Sequence, residues 1–256
     1  MTSLLEHLDE RRADGRKLLV PYMMAGLPQR DSFLDVLSSV SQHADAVEVG
    51  LPYSDPLMDG PIIAAAGARA IAAGVGPLEA LDLVGGASGP PRVAMTYYNP
   101  VHRMGEAEFC RRAGEAGVSG LIVPDLPLEE SGSLRASAAE EGLAWIPLVA
   151  PTSSVRRVEA IAASATGFVY AVSTLGVTGI RDALAAGAAL VVGACKSATD
   201  LPVLVGIGIS TPEQAVEASE VADGVVIGSA VVRRILEDPD EVAPFLSSVR
   251  AALDRL

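Results

Sequence analysis

Ala46-Val-Glu-Val-Gly-Leu-Pro-Tyr-Ser-Asp-Pro-Leu-Met-Asp-Gly-Pro61 is the stretch on which the reading of this chain turns. It opens as a short apolar strand, Ala46 to Val49, with one carboxylate, Glu48, set between two valines. A charged group in so short a buried run belongs near the strand end. There, desolvation raises its pKa and lets it exchange protons near neutrality. Gly50 and Pro52 break the strand, and Asp55 and Asp59 follow in a loop closed by Gly60 and Pro61. Glu48 and Asp59 therefore leave one strand end, the first on a rigid element and the second on its loop. Two carboxylates in unlike environments are a common way to divide acid and base roles. A core strand followed by an acidic, solvated turn would use the same letters.

Outward from this stretch, strand and helix signals alternate to both ends. The pattern predicts further strands at Leu18 to Met24, Arg92 to Thr96, Gly120 to Val123, Leu143 to Val149, Gly167 to Val172, Pro202 to Val205 and Ala222 to Ile227. Helical patterns lie between them, from Gln29 to His43, Ile62 to Ala73, Pro77 to Val84, Glu106 to Ala116, about Glu129 to Glu141, Ser153 to Ala163, up to Lys196, and Thr211 to Ser219. Leu4 to Arg12 reads as an extra N-terminal helix, and helices run from Ser229 to the end. Strands alternating with helices over 256 residues point to an α/β fold, a (β/α)8 TIM barrel. A doubly wound open sheet would want Gly-x-Gly-x-x-Gly after its first strand, where this chain has Ala25-Gly26-Leu27-Pro28. With no Pro/Ser-rich linker and no shift in composition, residues 1–256 are expected to form one barrel domain.

Composition narrows the function. Half the residues are hydrophobic, yet no apolar run reaches the ~18 residues that a membrane span needs. The N-terminus is charged and helix-patterned, without a signal-peptide core. Cys110 and Cys195 are isolated thiols without metal-ligand spacing, as suits the reducing cytoplasm. His7, His43 and His102 are scattered and predict no metal site. A formal charge of −13 argues against nucleic acid or an anionic membrane as partner. An anionic substrate would then be held by local donors against the overall field.

In such a barrel the chemistry sits at the C-terminal strand ends. Gly206-Ile207-Gly208 and Gly228-Ser229 form glycine-rich turns after the seventh and eighth strands, each running into a helix. Turns of this kind let backbone N–H groups approach phosphate oxygens, and the helix N-terminus adds positive potential. Tight barrel turns that simply need glycine would look similar. Tyr170 stands at the end of the sixth strand, before a loop, Gly176 to Gly179, whose terminal glycines permit a hinge. Thr178 is the loop side chain most suited to a contact. Tyr22, Met95, Ile122 and Ile207 sit near strand ends and could line an apolar pocket or merely fill the barrel.

These blocks resemble the tryptophan synthase alpha subunit family over nearly the whole chain. The resemblance rests on Val47 to Gly60, Tyr97-Tyr98-Asn99-Pro100, Val123-Pro124-Asp125-Leu126-Pro127, Pro147 to Thr152, Gly176 to Gly179 and Gly206 to Ser210, in that order. It implies Glu48 and Asp59 as the catalytic pair and cleavage of indole-3-glycerol phosphate to indole and glyceraldehyde 3-phosphate. It further implies Tyr170 as an aid to catalysis and Gly179, Gly208, Gly228 and Ser229 as phosphate holders. Tyr22, Met95, Ile122 and Ile207 would form the indole pocket, with Thr178 on a loop that closes over substrate. No metal or cofactor is implied in this chain; pyridoxal phosphate belongs to the beta subunit, the partner expected in an alpha2beta2 complex. Three positions depart from the family pattern: Leu27 where an aspartate is usual, Met58 where a small residue is usual, and Thr174 where arginine is frequent. Leu27 could pack against a partner, or its loss of charge could leave a stand-alone lyase releasing free indole. A non-catalytic partner of a beta subunit is a third reading, opposed by the retained carboxylates and glycine turns.

Overall fold

The computed structural model describes residues 2–172, 181–206 and 208–256, with the side chains of residues 181–188 excepted. Nine strand segments form one parallel sheet: β1 (Leu18–Met24), β2 (Val47–Gly50), β3 (Arg92–Met95), β4 (Val118–Ile122), β5 (Ala144–Trp145), β6 (Leu148–Val149), β7 (Val169–Val172), β8 (Val203–Gly206) and β9 (Gly224–Ile227). Their order is β5-β4-β3-β2-β1-β9-β8-β7-β6. The two ends of that order are consecutive in the chain, separated only by Ile146 and Pro147, so the sheet closes on itself. Ile146 N–H donates to Leu121 O at 3.0 Å on one side, and Pro147 O accepts from Tyr170 N–H at 3.1 Å on the other. The expected strand from Leu143 to Val149 is thus one barrel strand split into β5 and β6, because Pro147 has no N–H to give the ladder. The protein is a (β/α)8 TIM barrel.

The alternation along the strands divides two cores. Leu18 and Val20 of β1 point inward to meet Ala46, Val93, Ile122, Ile146, Phe168, Leu204 and Val226. Leu19 and Met23 point outward and pack with the surrounding helices. The N-terminal helix, Leu4–Ala13, belongs to the inner core through Leu4 and Leu8. A Cβ on Gly120 or Gly167 would lie 3.1 Å from a Leu4 methyl, so both strands stay bare where the helix plugs the barrel floor. The plug starts cleanly: the Ser3 and Glu6 side chains bond each other's backbone N–H in a capping box.

Also on the floor, Asp45 is 1 % exposed and accepts from Leu19 N–H at 2.8 Å, Arg16 Nε at 2.7 Å and Arg250 at 3.3 Å. Arg250 donates as well to Lys17 O, tying the last helix, Val242–Leu253, to the approach of β1.

Several boundaries differ from the pattern reading. The helix expected from Gln29 begins as a 3-10 turn, Arg30–Ser32, before Phe33–Ser41. The one expected from Glu129 likewise splits into Leu128–Glu130 and Gly132–Glu140. A short helix, Tyr98–Met104, occupies a segment between the expected strand to Thr96 and the expected helix from Glu106. Leu27 corrects an expectation: it is 1 % exposed and part of the helix-side core, so it offers no surface to a partner. Among the described residues no single helix is long and apolar enough to cross a membrane.

Candidate active site

Glu48 is the second residue of β2, between Val47 and Val49, whose side chains face the outer core while its own turns into the barrel. It is 2 % exposed, and its Oε2 has no hydrogen-bond partner among the described residues. Burial pushes this carboxyl up to about 8, and the neighbouring Asp59 charge adds to the effect. Two tyrosines share its surroundings. Tyr22 stands in register with Glu48 across the β1–β2 ladder, and Tyr170 comes from β7. Burial holds both phenols well above the ordinary tyrosine range; the Glu48 charge raises both, and Asp59 also raises Tyr22. Each tyrosine lies over a strand-end glycine, Tyr22 over Gly50 and Tyr170 over Gly206, where a Cβ would overlap the hydroxyl.

Asp59 sits half-buried on the loop after β2. Burial raises its pKa, and a hydrogen bond with Tyr97 pulls in the opposite direction. The Tyr97 hydroxyl also accepts from Met58 N–H at 2.9 Å, so this phenol at the end of β3 pins the loop that bears Asp59. The Tyr97 ring lies 5.2 Å from that of Tyr53, whose hydroxyl accepts from Asn99 Nδ2 at 3.1 Å. Tyr97 was legible as a strand-end residue, yet nothing in its spacing linked it to Asp59.

Both carboxylates line one cavity of about 370 Å³ at the C-terminal end of the barrel. Tyr22, Met95, Ile122, Tyr170, Gly208, Gly228 and Ser229 line it too, so the described residues singled out from the pattern converge there. Thr178, Gly179 and Ile207, along with Thr174, lie outside the described residues. The cavity walls also include Met58, Ile62, Ile63, Pro124, Leu148 and Val172, none of which sequence reasoning assigned to a pocket. Ile62 and Ile63 follow the helix-starting Pro61, where a helical period gives no hint that both adjacent residues face a pocket.

At one side of the cavity Gly208 adopts φ of 82°, a left-handed conformation that favours glycine. Gly228 precedes the helix Ser229–Glu237. Its carbonyl accepts from Val231 and Val232 N–H, while the first-turn N–H groups of such a helix have no intrahelical acceptor and suit an anion. Among the described residues, the nearest atom a Cβ on Gly228 would meet outside its chain neighbours and its own helix is a methyl of Ile63, at 3.6 Å. Bulk there intrudes on the cavity rather than on the fold. Among the described residues no group of three or more His, Cys, Asp or Glu side chains is placed to hold a metal.

The arrangement can therefore protonate and deprotonate a substrate at Glu48, present a negative charge at Asp59, enclose an apolar ring and bind a phosphate. Known proteins resemble the chain that carries it. The tryptophan synthase alpha chain family profile matches residues 8–254. The tryptophan synthase alpha chain of Carboxydothermus hydrogenoformans is 48% identical over 230 residues, covering 88% of this chain and 86% of that one. That of Streptomyces avermitilis is 42% identical over 257 residues, covering 99% and 92%. Among solved structures, tryptophan synthase from M. tuberculosis in its aminoacrylate-bound form superposes with a TM-score of 0.90 at 36% identity, covering 98% of this chain and 99% of that one. Tryptophan synthase subunit alpha from Legionella pneumophila gives 0.90 at 32% identity, with 100% of both chains covered. By profile, by sequence and by the barrel that carries its paired carboxylates, the chain belongs to the tryptophan synthase alpha chain family.

Proposed function

We propose that Glu48 and Asp59 cleave indole-3-glycerol phosphate into indole and glyceraldehyde 3-phosphate, the lyase reaction of a tryptophan synthase alpha chain in tryptophan biosynthesis. The observation that carries this reading is the buried Glu48 carboxyl, its Oε2 without a hydrogen-bond partner among the described residues, sharing one apolar cavity with Asp59 and the Gly228–Ser229 turn. With a pKa near 8, Glu48 starts protonated at neutral pH. It gives its proton to the indole carbon that bears the side chain, and positive charge develops on the ring. The carboxylate left behind then takes the proton of the side-chain hydroxyl next to that carbon. The carbon–carbon bond breaks, its electron pair returns to the ring, the aldehyde forms, and Glu48 ends as it began.

Asp59 accepts from the ring N–H and stabilises the charge that grows there. Its hydrogen bond with Tyr97 favours the ionised form this requires. Tyr170 positions the Glu48 carboxyl or the glycerol hydroxyls. Backbone N–H groups at Gly179, Gly208 and Gly228, with Ser229, hold the phosphate. Tyr22, Met95, Ile122 and Ile207 enclose the indole, and Thr178 closes over the substrate. The chain acts as one barrel domain in the cytoplasm. Proton transfer and bond cleavage of this kind ask for no cofactor; pyridoxal phosphate is assigned to a partner beta subunit.

A beta subunit contacts the loops at Asp55-Pro56 and Asn99-Pro100 in this reading. Leu57 and Met58, 89 % and 61 % exposed on the Asp59 loop, support docking at that mouth. The test is indole release by the purified chain, alone and titrated with its beta subunit. Turnover should rise with the partner, and Glu48→Gln should lose about 10²–10⁴-fold of it, with Asp59→Asn also severely impaired. A Glu48→Gln variant keeping more than about a tenth of native turnover would remove Glu48 from proton transfer. A titration that stays flat, with no complex in sedimentation, would make the enzyme a stand-alone lyase.

A further inference from the structure

A substrate carrying a phosphate dianion has to approach a chain of formal charge −13. Among the described side chains no Lys or Arg lines the cavity that holds Glu48 and Asp59, and the Asp59 charge opposes an anion. A second cavity, of about 480 Å³, meets the first at Ser229 and is bordered by Ser210, Arg233 and Arg234. The two arginines are not equivalent. Arg234 is committed elsewhere, donating to Ala230 O at 2.8 Å with its guanidinium 3.8 Å over the Phe245 ring. Arg233 is exposed and makes no hydrogen bond or ion pair among the described residues. It stands four residues after Ser229 on the same helix, hence on the same face. Long helical side chains lean toward the N-terminus of their helix, which carries the guanidinium back toward Ser229. Glu237, Asp238 and Glu241 also border this cavity, and on the helix Arg233 is a turn nearer Ser229 than Glu237 is.

We propose that Arg233 is a positioning residue for the substrate's phosphate, drawing the dianion through the second cavity to the Gly228–Ser229 turn and offsetting the acidic field around it. The inference rests on the phosphate assignment above and adds a positive charge beside that backbone cradle. Arg233 remains outside the reacting atoms, so it governs capture of the phosphate and leaves proton transfer at Glu48 untouched. An exposed cation acting on a dianion over a helical turn is worth about three- to tenfold in binding at low ionic strength, and less as salt screens it.

The experiment compares the native enzyme with Arg233→Gln, Arg233→Lys, Gly228→Ala and Gly228→Val across a salt series. Two readouts serve: steady-state cleavage of indole-3-glycerol phosphate and inhibition by glycerol phosphate. Arg233→Gln should raise KM and the glycerol phosphate inhibition constant about three- to tenfold at low salt, with kcat unchanged. Its dependence on salt should be flatter than native, and Arg233→Lys should restore most of the loss, because charge rather than fork geometry is what acts. Inhibition by an uncharged indole analogue should be the same in the native enzyme, Arg233→Gln and Arg233→Lys. Equal KM and equal salt slopes for native and Arg233→Gln, with Gly228→Val still raising KM, would overturn the role of Arg233 alone. If neither Gly228 variant nor Arg233→Gln shifts KM or glycerol phosphate inhibition, the phosphate assignment fails as well. A fall in kcat with KM unchanged would assign Arg233 a structural part and overturn the proposal.

Discussion

Replacing Glu48 by glutamine should make the barrel more stable as well as inactive, and the gain should grow with pH. The folded carboxyl sits near 8 against an ordinary value of 4.5, with burial as the main cause. Below the ordinary value both the folded and unfolded chains keep the proton, so the group costs nothing. Between the two values the unfolded chain releases a proton that the folded barrel retains. Native stability therefore falls as pH rises, by about 1.4 kcal/mol per pH unit. Above the folded value both states are ionised, and the loss levels off at a ceiling of roughly 5 kcal/mol. Glutamine does not titrate. Its buried amide carries a cost of its own, but that cost is independent of pH, so the slope of the difference is diagnostic and its offset is not. Urea unfolding of both proteins at steps from about pH 5 to about pH 9, with slopes m compared to confirm like unfolding, supplies the difference directly. A stability difference that stays constant across that range would refute the claim that Glu48 is folded in its neutral form.

Two further perturbations test neighbouring features. Tyr97→Phe removes the hydrogen bond that lowers the Asp59 pKa, so the acidic limb of kcat/KM should move to higher pH while the alkaline limb, set by Glu48, stays in place; an unmoved acidic limb in the pH–rate profile would detach Tyr97 from Asp59. Asp45→Ala strips the floor network of its acceptor and leaves the nearly buried Arg250 facing Arg16, which should cost about 3–5 kcal/mol in urea unfolding. A loss under about 1 kcal/mol would reduce that network to the level of surface ion pairs.

The barrel was legible because its strands are buried on both faces and separated by helical periods, which no open-sheet fingerprint contradicted. Glu48 stood out for the same reason that its carboxyl is pushed up: an acid between valines in a buried strand has no cheap explanation. The glycine turns announced a close backbone approach, and Gly228 and Ser229 do reach the cavity. What stayed hidden was contact across the barrel mouth. Tyr97 meets Asp59 over a separation that no local period encodes, and Ile62 and Ile63 become pocket walls only through where the helix after Pro61 is aimed. Leu27 was misread because a loop position next to proline looks exposed, whereas its side chain is folded under into the helix-side core. The split at Pro147 was visible as a residue without an N–H, but its place as the closing seam follows only from the ladder on either side.

The floor plug has a consequence for how the chain must fold. The N-terminal helix is synthesised first, yet Leu4 finds its seat only beside Gly120, Ala144, Ile146 and Gly167, residues made long afterwards. β1 likewise waits for β9, since Leu18 pairs with Gly224 from near the other end of the chain. Contacts so distant in sequence have to pay their loop-closure entropy before they return any burial, which makes closure slow. On the ribosome, then, the first helix carries an apolar edge, Leu4 and Leu8, without a home until β7 has emerged. Its hydrophilic face and capping box keep a short helix presentable in water during that interval, so the element that finishes the barrel is the one that has waited longest.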